Sequence, residues 1–344
     1  MPVLAPLMLE SACLFAGFAG DIPCFATVDG QLHSPVWPQA VAAAPGGLTA
    51  IALSAAGNSL FTGGEDGSVH CLSFLPGAAA AGAKPEPQLV AQIKGKWIDC
   101  LAAAPQGGGF AFSCGRRLYC GAIARPRRGA EAEKPLLREW LLERSAEGLA
   151  FAPKGLRLAV AHYNGVSLYW PETANPPQKL EWKGAHTGVI FSPDRRYIIT
   201  AMQENALHGW RLEDGSHLRM SGYPAKIKSF SWSARGRYLA TSGAPAAVLW
   251  PFISKDGPVN TAPLELGTRG DSMVTCVACH PQQDKTAIGY ADGMILLAGF
   301  AGREEQALRR GGQGAVSALS WDKSGQRLAF GTEDGAAGLV SLAS

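Results

Sequence analysis

Residues 53–74 read LSAAGNSLFTGGEDGSVHCLSF, and this stretch decides how the rest of the chain is read. Leu53 closes one apolar run, and Ser54-Ala55-Ala56-Gly57-Asn58 supplies small, turn-forming residues before Leu60-Phe61 starts a second. Glu65-Asp66-Gly67 then has the chemistry of a tight hairpin, with Gly free to take positive φ and the Asp carboxylate placed to bond nearby amides. Val69 and Leu72 carry a third strand. The unit is strand, turn, strand, hairpin, strand.

The unit recurs. The position of Leu53 is taken by Ala103 (LAAAPQGGGF), Phe151 (LAFAPKGLRL), Phe191 (VIFSPDRRYI), Trp232 (FSWSARGRYL), Cys279 (VACHPQQDKT) and Trp321 (LSWDKSGQRL), at spacings of 50, 48, 40, 41, 47 and 42 residues. A weaker copy aligns Gly17 with Leu53 and puts Asp29-Gly30 at the hairpin, which makes eight copies. A period in this range marks a repeat architecture. The runs are apolar on both sides rather than alternating, as expected of small sheets covered on both faces by neighbours, which is how propeller blades pack. The only helical candidate is 135–146, and its apolar spacing is imperfect.

Composition agrees with a globular, turn-rich chain. Of 344 residues, 47% are hydrophobic and 17% charged, with 42 Gly and 23 Pro, enough apolar surface for a core. The net charge of +3 is too near zero for a dedicated nucleic-acid binder. The first 20 residues lack a basic start and contain Glu10, so no leader peptide is expected, and no uncharged apolar run nears the roughly 18 residues that span a bilayer. The expectation is a cytoplasmic protein with no membrane association, whose eight Cys stay reduced as small hydrophobes.

The residues resemble the WD-repeat (β-transducin-like) propeller family over nearly the whole chain. Lys183-Gly184-Ala185-His186 is similar to the family's Gly-His opening, Phe191-Ser192-Pro193-Asp194 to the end of its first strand, and Trp210-Arg211-Leu212 to its Trp-Asp close. The resemblance implies an all-β chain, with residues 1–344 forming a single closed β-propeller of eight four-stranded blades, or seven if the weak first copy pairs differently. It also implies that the N-terminal strand closes the last blade, which otherwise lacks its outer strand. Departures are clear. Asp29, Asp66, Asp292 and Asp334 match the family's hairpin Asp, and Trp170, Trp210 and Trp250 match its Trp, but only His186 matches its His, so no copy keeps a complete polar tetrad. Apolar packing between blades, at about 25 cal/mol per Å² buried, is expected to carry stability instead. Four longer connections at 76–88, 125–135, 171–178 and 251–263 read as tolerated insertions between third and fourth strands.

No catalytic constellation emerges. There is no G-x-S-x-G, P-loop or H-x-x-x-H, and no G-x-G-x-x-G in a strand-to-helix context. Cys276-Val277-Ala278-Cys279-His280 is a literal C-x-x-C-H, the pattern for c-type haem attachment. It aligns, however, with a first strand, where residues three apart face opposite sides, so the strand reading is preferred. Cys114 and Cys120 flank a hairpin and read as buried thiols. No cofactor and no metal are expected.

What remains is a rim. In resembling propellers the second-to-third hairpins and the entries to first strands share one face, and here those positions carry Lys94, Lys96, Trp97, Arg116, Arg117, Tyr163, Asn164, His186, Gln203, Glu204, Asn205, Tyr223, Lys226, Lys228, Arg269 and Asp271. Aromatics beside Arg and Lys suit a protein or peptide partner. The expected function is a non-enzymatic scaffold or adaptor, as a monomer or a subunit of a larger complex. Alternatives are a small-molecule or metal-responsive sensor using Tyr163, His186 and Gln203, and a redox protein with haem at Cys276, Cys279 and His280.

Overall fold

The computed structural model describes residues 3–74, 83–106, 108–123, 135–301, 304–312 and 314–342. Every extended element among them is a β-strand, and none of the described residues is helical. The stretch 135–146 holds the strand Arg138–Leu141 in place of the helix considered from its spacing. It pairs antiparallel with Arg117–Ala122, putting Trp140 opposite Leu118. Trp140 then meets Tyr169 edge-on at 5.6 Å, and this packing outweighs the local helical bias.

Among the described residues the strands form seven hydrogen-bonded sheets, six of four strands and one of six, the arrangement of a seven-bladed β-propeller. Seven was the second count considered from the sequence, on the condition that the weak first copy pairs differently; that copy instead forms a four-stranded sheet of its own, from Cys13–Ala19 to Val41–Ala42. The eight copies become seven sheets because copies four and five share the six-stranded one. Its strands Leu158–Tyr169 and Gln178–Phe191 are long, and pairing persists across a register shift between Tyr163 and Gly165. That shift comes from Asn164 and Gly165, both at positive φ (73° and 136°), which turn the chain without ending the ladder.

Two compact units divide the chain. The first comprises Met1–Thr27, Ser192–Tyr197 and Ala201–Ser344; the second comprises Val28–Phe191 and Ile198–Thr200. In the first, the N-terminal strand Val3–Met8 pairs antiparallel with Ala336–Ser341, from Val3 opposite Ser341 to Met8 opposite Ala336, and so supplies the outer strand of the last blade. Leu9 continues the seam, its N–H bonding Gly335 O at 2.8 Å. Leu9, Cys13, Phe18 and Phe25 share a core with Ala318, Ala329 and Ala337. Sheets approach closely at Gly289, where a Cβ would lie 2.5 Å from Val316 Cγ1.

The second unit contains the stretch 53–74. Its strands Leu48–Leu53, Ser59–Gly64 and Ser68–Ser73 pair in sequence order, with Gln88–Gln92 as the fourth. Asp66 Oδ1 accepts from Ser68 N–H at 2.9 Å and Ser68 Oγ at 2.6 Å, which locks the hairpin while Gly67 takes φ of 78°. Phe61 stacks on Phe110 of the following copy at 5.0 Å and shares a core cluster with its Phe112 and Tyr119, so the apolar packing expected between copies is present here. Most of the connections 76–88 and 125–135 lies outside the described residues.

Candidate protein-interaction face

Within the second unit, a chain of contacts joins four surface segments. Ile98 is fully buried and its N–H bonds Gly64 O at 3.2 Å, which pins the connection ahead of Cys100–Ala103 and leaves Lys96 and Trp97 outside, Trp97 60% exposed. Asp99 Oδ2 accepts the N–H of Gly115, tying that connection to the hairpin of Arg116 and Arg117. Arg116 Nε donates to Leu142 O at 3.0 Å, and Leu142 N–H donates back to Arg116 O at 2.7 Å. Two residues on, the Arg144 guanidinium lies 5.3 Å over the ring of Tyr163, which is 46% exposed. Thus Lys96, Trp97, Arg116, Tyr163 and Asn164 lie along one track, with Arg144 added.

The charges on this track divide into used and unused. Arg117 pairs with Glu139, and Lys179 with Glu143 at 2.6 Å, where the lysine holds the Glu143 carboxyl below its ordinary range. Both pairs are exposed, so they fix side-chain direction more than they add stability. His162 bonds Tyr163 O through Nδ1 and Ser167 Oγ through Nε2, each at 2.9 Å. Facing a carbonyl, Nδ1 must carry the proton, so Nε2 accepts from the Ser167 hydroxyl. Beside them a cleft of about 210 Å³ is lined by Leu141, Glu143, Arg144, Tyr163, Asn164, Lys179 and Glu181, among others.

Other residues assigned to the rim are interior. His186 is fully buried, its Nδ1 accepting from Thr200 Oγ1 at 2.7 Å and its Nε2–H donating to Trp182 O at 3.0 Å. Tyr223, in the first unit, is also buried: Trp250 Nε1 donates to its hydroxyl at 2.6 Å, the hydroxyl donates to Thr241 Oγ1 at 2.6 Å, and Thr241 donates to Val248 O at 3.0 Å. Burial pushes the Tyr223 phenol up to about 12. Their placement at the surface is therefore corrected. Both rings were drawn into the sheet by hydrogen bonds, as Gly222-Tyr223 does with a phenol what Gly184-Ala185-His186 does with an imidazole. The Gly preceding Tyr223 was the signal that could have revealed it.

In the first unit Gln203, Glu204, Lys226 and Lys228 are exposed, and Lys226 and Lys228 flank a buried Ile227. Asn205 Nδ2 donates to Pro224 O at 3.4 Å. Arg269 is held inward by Asp271 at 2.9 Å and Asp292 at 2.8 Å and lies 5.1 Å over Tyr290, so it braces a hairpin rather than projecting from it.

The C-x-x-C-H run is a strand, Val274–Cys279, as its alignment indicates. Cys279 packs in one core cluster with Val277 and Ile288, and Cys276 in another with Ala278 and Leu328, the opposite faces expected of a three-residue separation. His280 is held by backbone groups on both ring nitrogens. Among the described residues, no three His, Cys, Asp or Glu side chains are grouped to hold a metal ion, and no helix is long and apolar enough to cross a membrane.

In comparison with protein families, the model of the WD domain, G-beta repeat, matches residues 39–72, the copy that contains the Asp66-Gly67 hairpin.

Proposed function

The chain is a WD-repeat β-propeller, and we propose that it works as a non-enzymatic platform that binds a protein partner through the track from Lys96 to Asn164. WD-repeat propellers generally bind protein partners. The observation that supports this track is the pair of exposed aromatics, Trp97 and Tyr163, the second lying under the Arg144 guanidinium, on segments held by the burial of Ile98 and by the hydrogen bonds between Arg116 and Leu142. Trp, Tyr and Arg are the side chains whose loss most often costs about 2 kcal/mol or more at an interface. Bracing matters because a side chain already held in place loses less entropy on binding.

The test is capture by immobilised protein from a lysate of its native host, read by mass spectrometry. Trp97→Ala, Arg116→Ala and Tyr163→Ala combined should lose the specific partner while the thermal unfolding curve stays unchanged. Capture of the same partner by the triple variant would sink the assignment.

A further inference from the structure

Asn164 Oδ1 is buried in the wall of the cleft beside Tyr163 and, among the described residues, has no hydrogen-bond partner. A buried acceptor without a donor loses the hydrogen bonds it would make to water and gains none in return. The turn explains why the side chain is there, since Asn tolerates the positive φ of 73° that the chain needs at this point. It does not explain the unused oxygen, which an N–H from a bound molecule would satisfy.

The cleft's other walls describe that molecule. Leu141 is 68% exposed and presents an apolar surface. Arg144, held over the Tyr163 ring, is in no ion pair among the described residues, and Arg116, joined to it through Leu142, is in none either. Of the nearby carboxylates, Glu139 and Glu143 are taken by Arg117 and Lys179, and Asp99 takes the Gly115 N–H. Glu143 and Glu181 line the cleft too, Glu143 turned to Lys179 in an ion pair, so among the lining side chains the Arg144 guanidinium is the cation left without an ion pair of its own among the described residues. A guanidinium fixed in a plane over an aromatic ring is placed for a carboxylate.

We propose that this cleft receives an extended acidic peptide segment of the partner: a backbone N–H bonds Asn164 Oδ1, an Asp or Glu side chain pairs with Arg144, and an apolar side chain covers Leu141. This rests on the reading of the track as a partner-binding face and names the chemistry of the partner there.

The test selects phage-displayed random peptides of about 12 residues, about 40 Å when extended, on the intact protein, and measures the enriched ones by fluorescence polarisation. Enriched sequences should be acidic with an apolar residue, and Arg144→Glu should weaken them about tenfold or more. Asn164→Gly keeps the turn and removes the amide, and should weaken them several-fold, roughly the loss of one hydrogen bond. Enriched peptides that are neutral or basic, failure to enrich any, or affinities unchanged in both variants would overturn the proposal. If Arg144→Glu and Asn164→Gly leave capture of the host partner intact while the Trp97, Arg116 and Tyr163 triple variant abolishes it, the platform stands and the acidic peptide does not.

Discussion

His280 and Gly325 are locked together: the Nε2–H of His280 donates to Gly325 O at 3.0 Å, and Nδ1 accepts the N–H groups of Gln282 at 3.1 Å and Gln283 at 3.0 Å. The ring is buried and neutral, and it spans two turns that follow first strands, one in each of two successive copies. A Cβ on Gly325 would lie 2.2 Å from His280 Cε1, and Gly325 sits at φ of 74°.

Gly325→Ala therefore meets two obstacles, a left-handed backbone costing about 1–2 kcal/mol and a displaced ring costing about 1–3 kcal/mol. Urea unfolding should show a loss of about 2–5 kcal/mol. In a His280→Ala background the same change should cost only the backbone part. An equal cost in both backgrounds would show that the ring is not the obstacle.

His280 titrates below its ordinary value chiefly because burial disfavours the charged ring; Lys285 adds to this, while the Gly325 carbonyl and Asp322 oppose it. As pH falls through about 6.5, the unfolded chain takes up its proton before the folded ring does. Stability present above that pH is then lost on acidification until the folded ring also protonates. His70, whose value is lowered by burial against the opposing charge of Asp66, acts in the same direction. Tm measured between about pH 7 and 5 should fall less steeply in His280→Asn, which keeps an acceptor for the two amides. An unchanged slope would rule out His280 as a contributor.

The hydroxyl of Tyr223 takes one proton from Trp250 and gives one to Thr241. Tyr223→Phe keeps the ring and leaves a buried indole N–H without an acceptor, at a cost of about 1–3 kcal/mol. Trp250→Phe in the same background should recover part of that loss, because the orphaned donor is gone. Absence of any recovery in the double variant would count against the network.

The pairing of Val3–Met8 with Ala336–Ser341 ties the two ends of the chain. Removing residues 1–10 uncovers the edge of Ala336–Ser341 and strips Leu9 from its core. A loss of about 10 °C in Tm is expected from the missing ladder, with added aggregation at the open edge. An unaltered melting curve would mean that the last blade stands without its outer strand.

All eight cysteines are free thiols. Burial pushes Cys13, Cys24, Cys114 and Cys120 up to about 12, and Cys71, Cys100 and Cys279 to about 11; Cys276 is raised as well. Since the thiolate is the reactive form, native protein should react only slowly with Ellman's reagent at about pH 8, and all eight should titrate once the chain is unfolded in denaturant. Prompt labelling of Cys100, the one that is not fully buried, would show local opening near Ala146.

Much of the architecture was legible in the residues. The spacing of the copies, the Asp66-Gly67 hairpin and the strand at Cys276-Cys279 follow from turn chemistry and runs of apolar residues, which act over a few positions of the chain, whereas the N-terminal strand on the last blade was legible only through the family resemblance. The joining of copies four and five into one sheet was not legible, because it runs through Gln178–Phe191, which lies between a strand of copy four and a strand of copy five, and ladder continuity is set by the partner strands.

The surface was less legible than the core. The residues by themselves determined that Trp97, Arg116 and Tyr163 fall on connections and hairpins. Only the tertiary structure decided that His186 and Tyr223 turn inward, that Arg269 is consumed by Asp271 and Asp292, and that Arg144 joins Tyr163. The physical reason is that a long polar side chain is committed by whichever partner the folded backbone brings within about 3 Å, and those partners are set by the fold rather than by nearness in sequence.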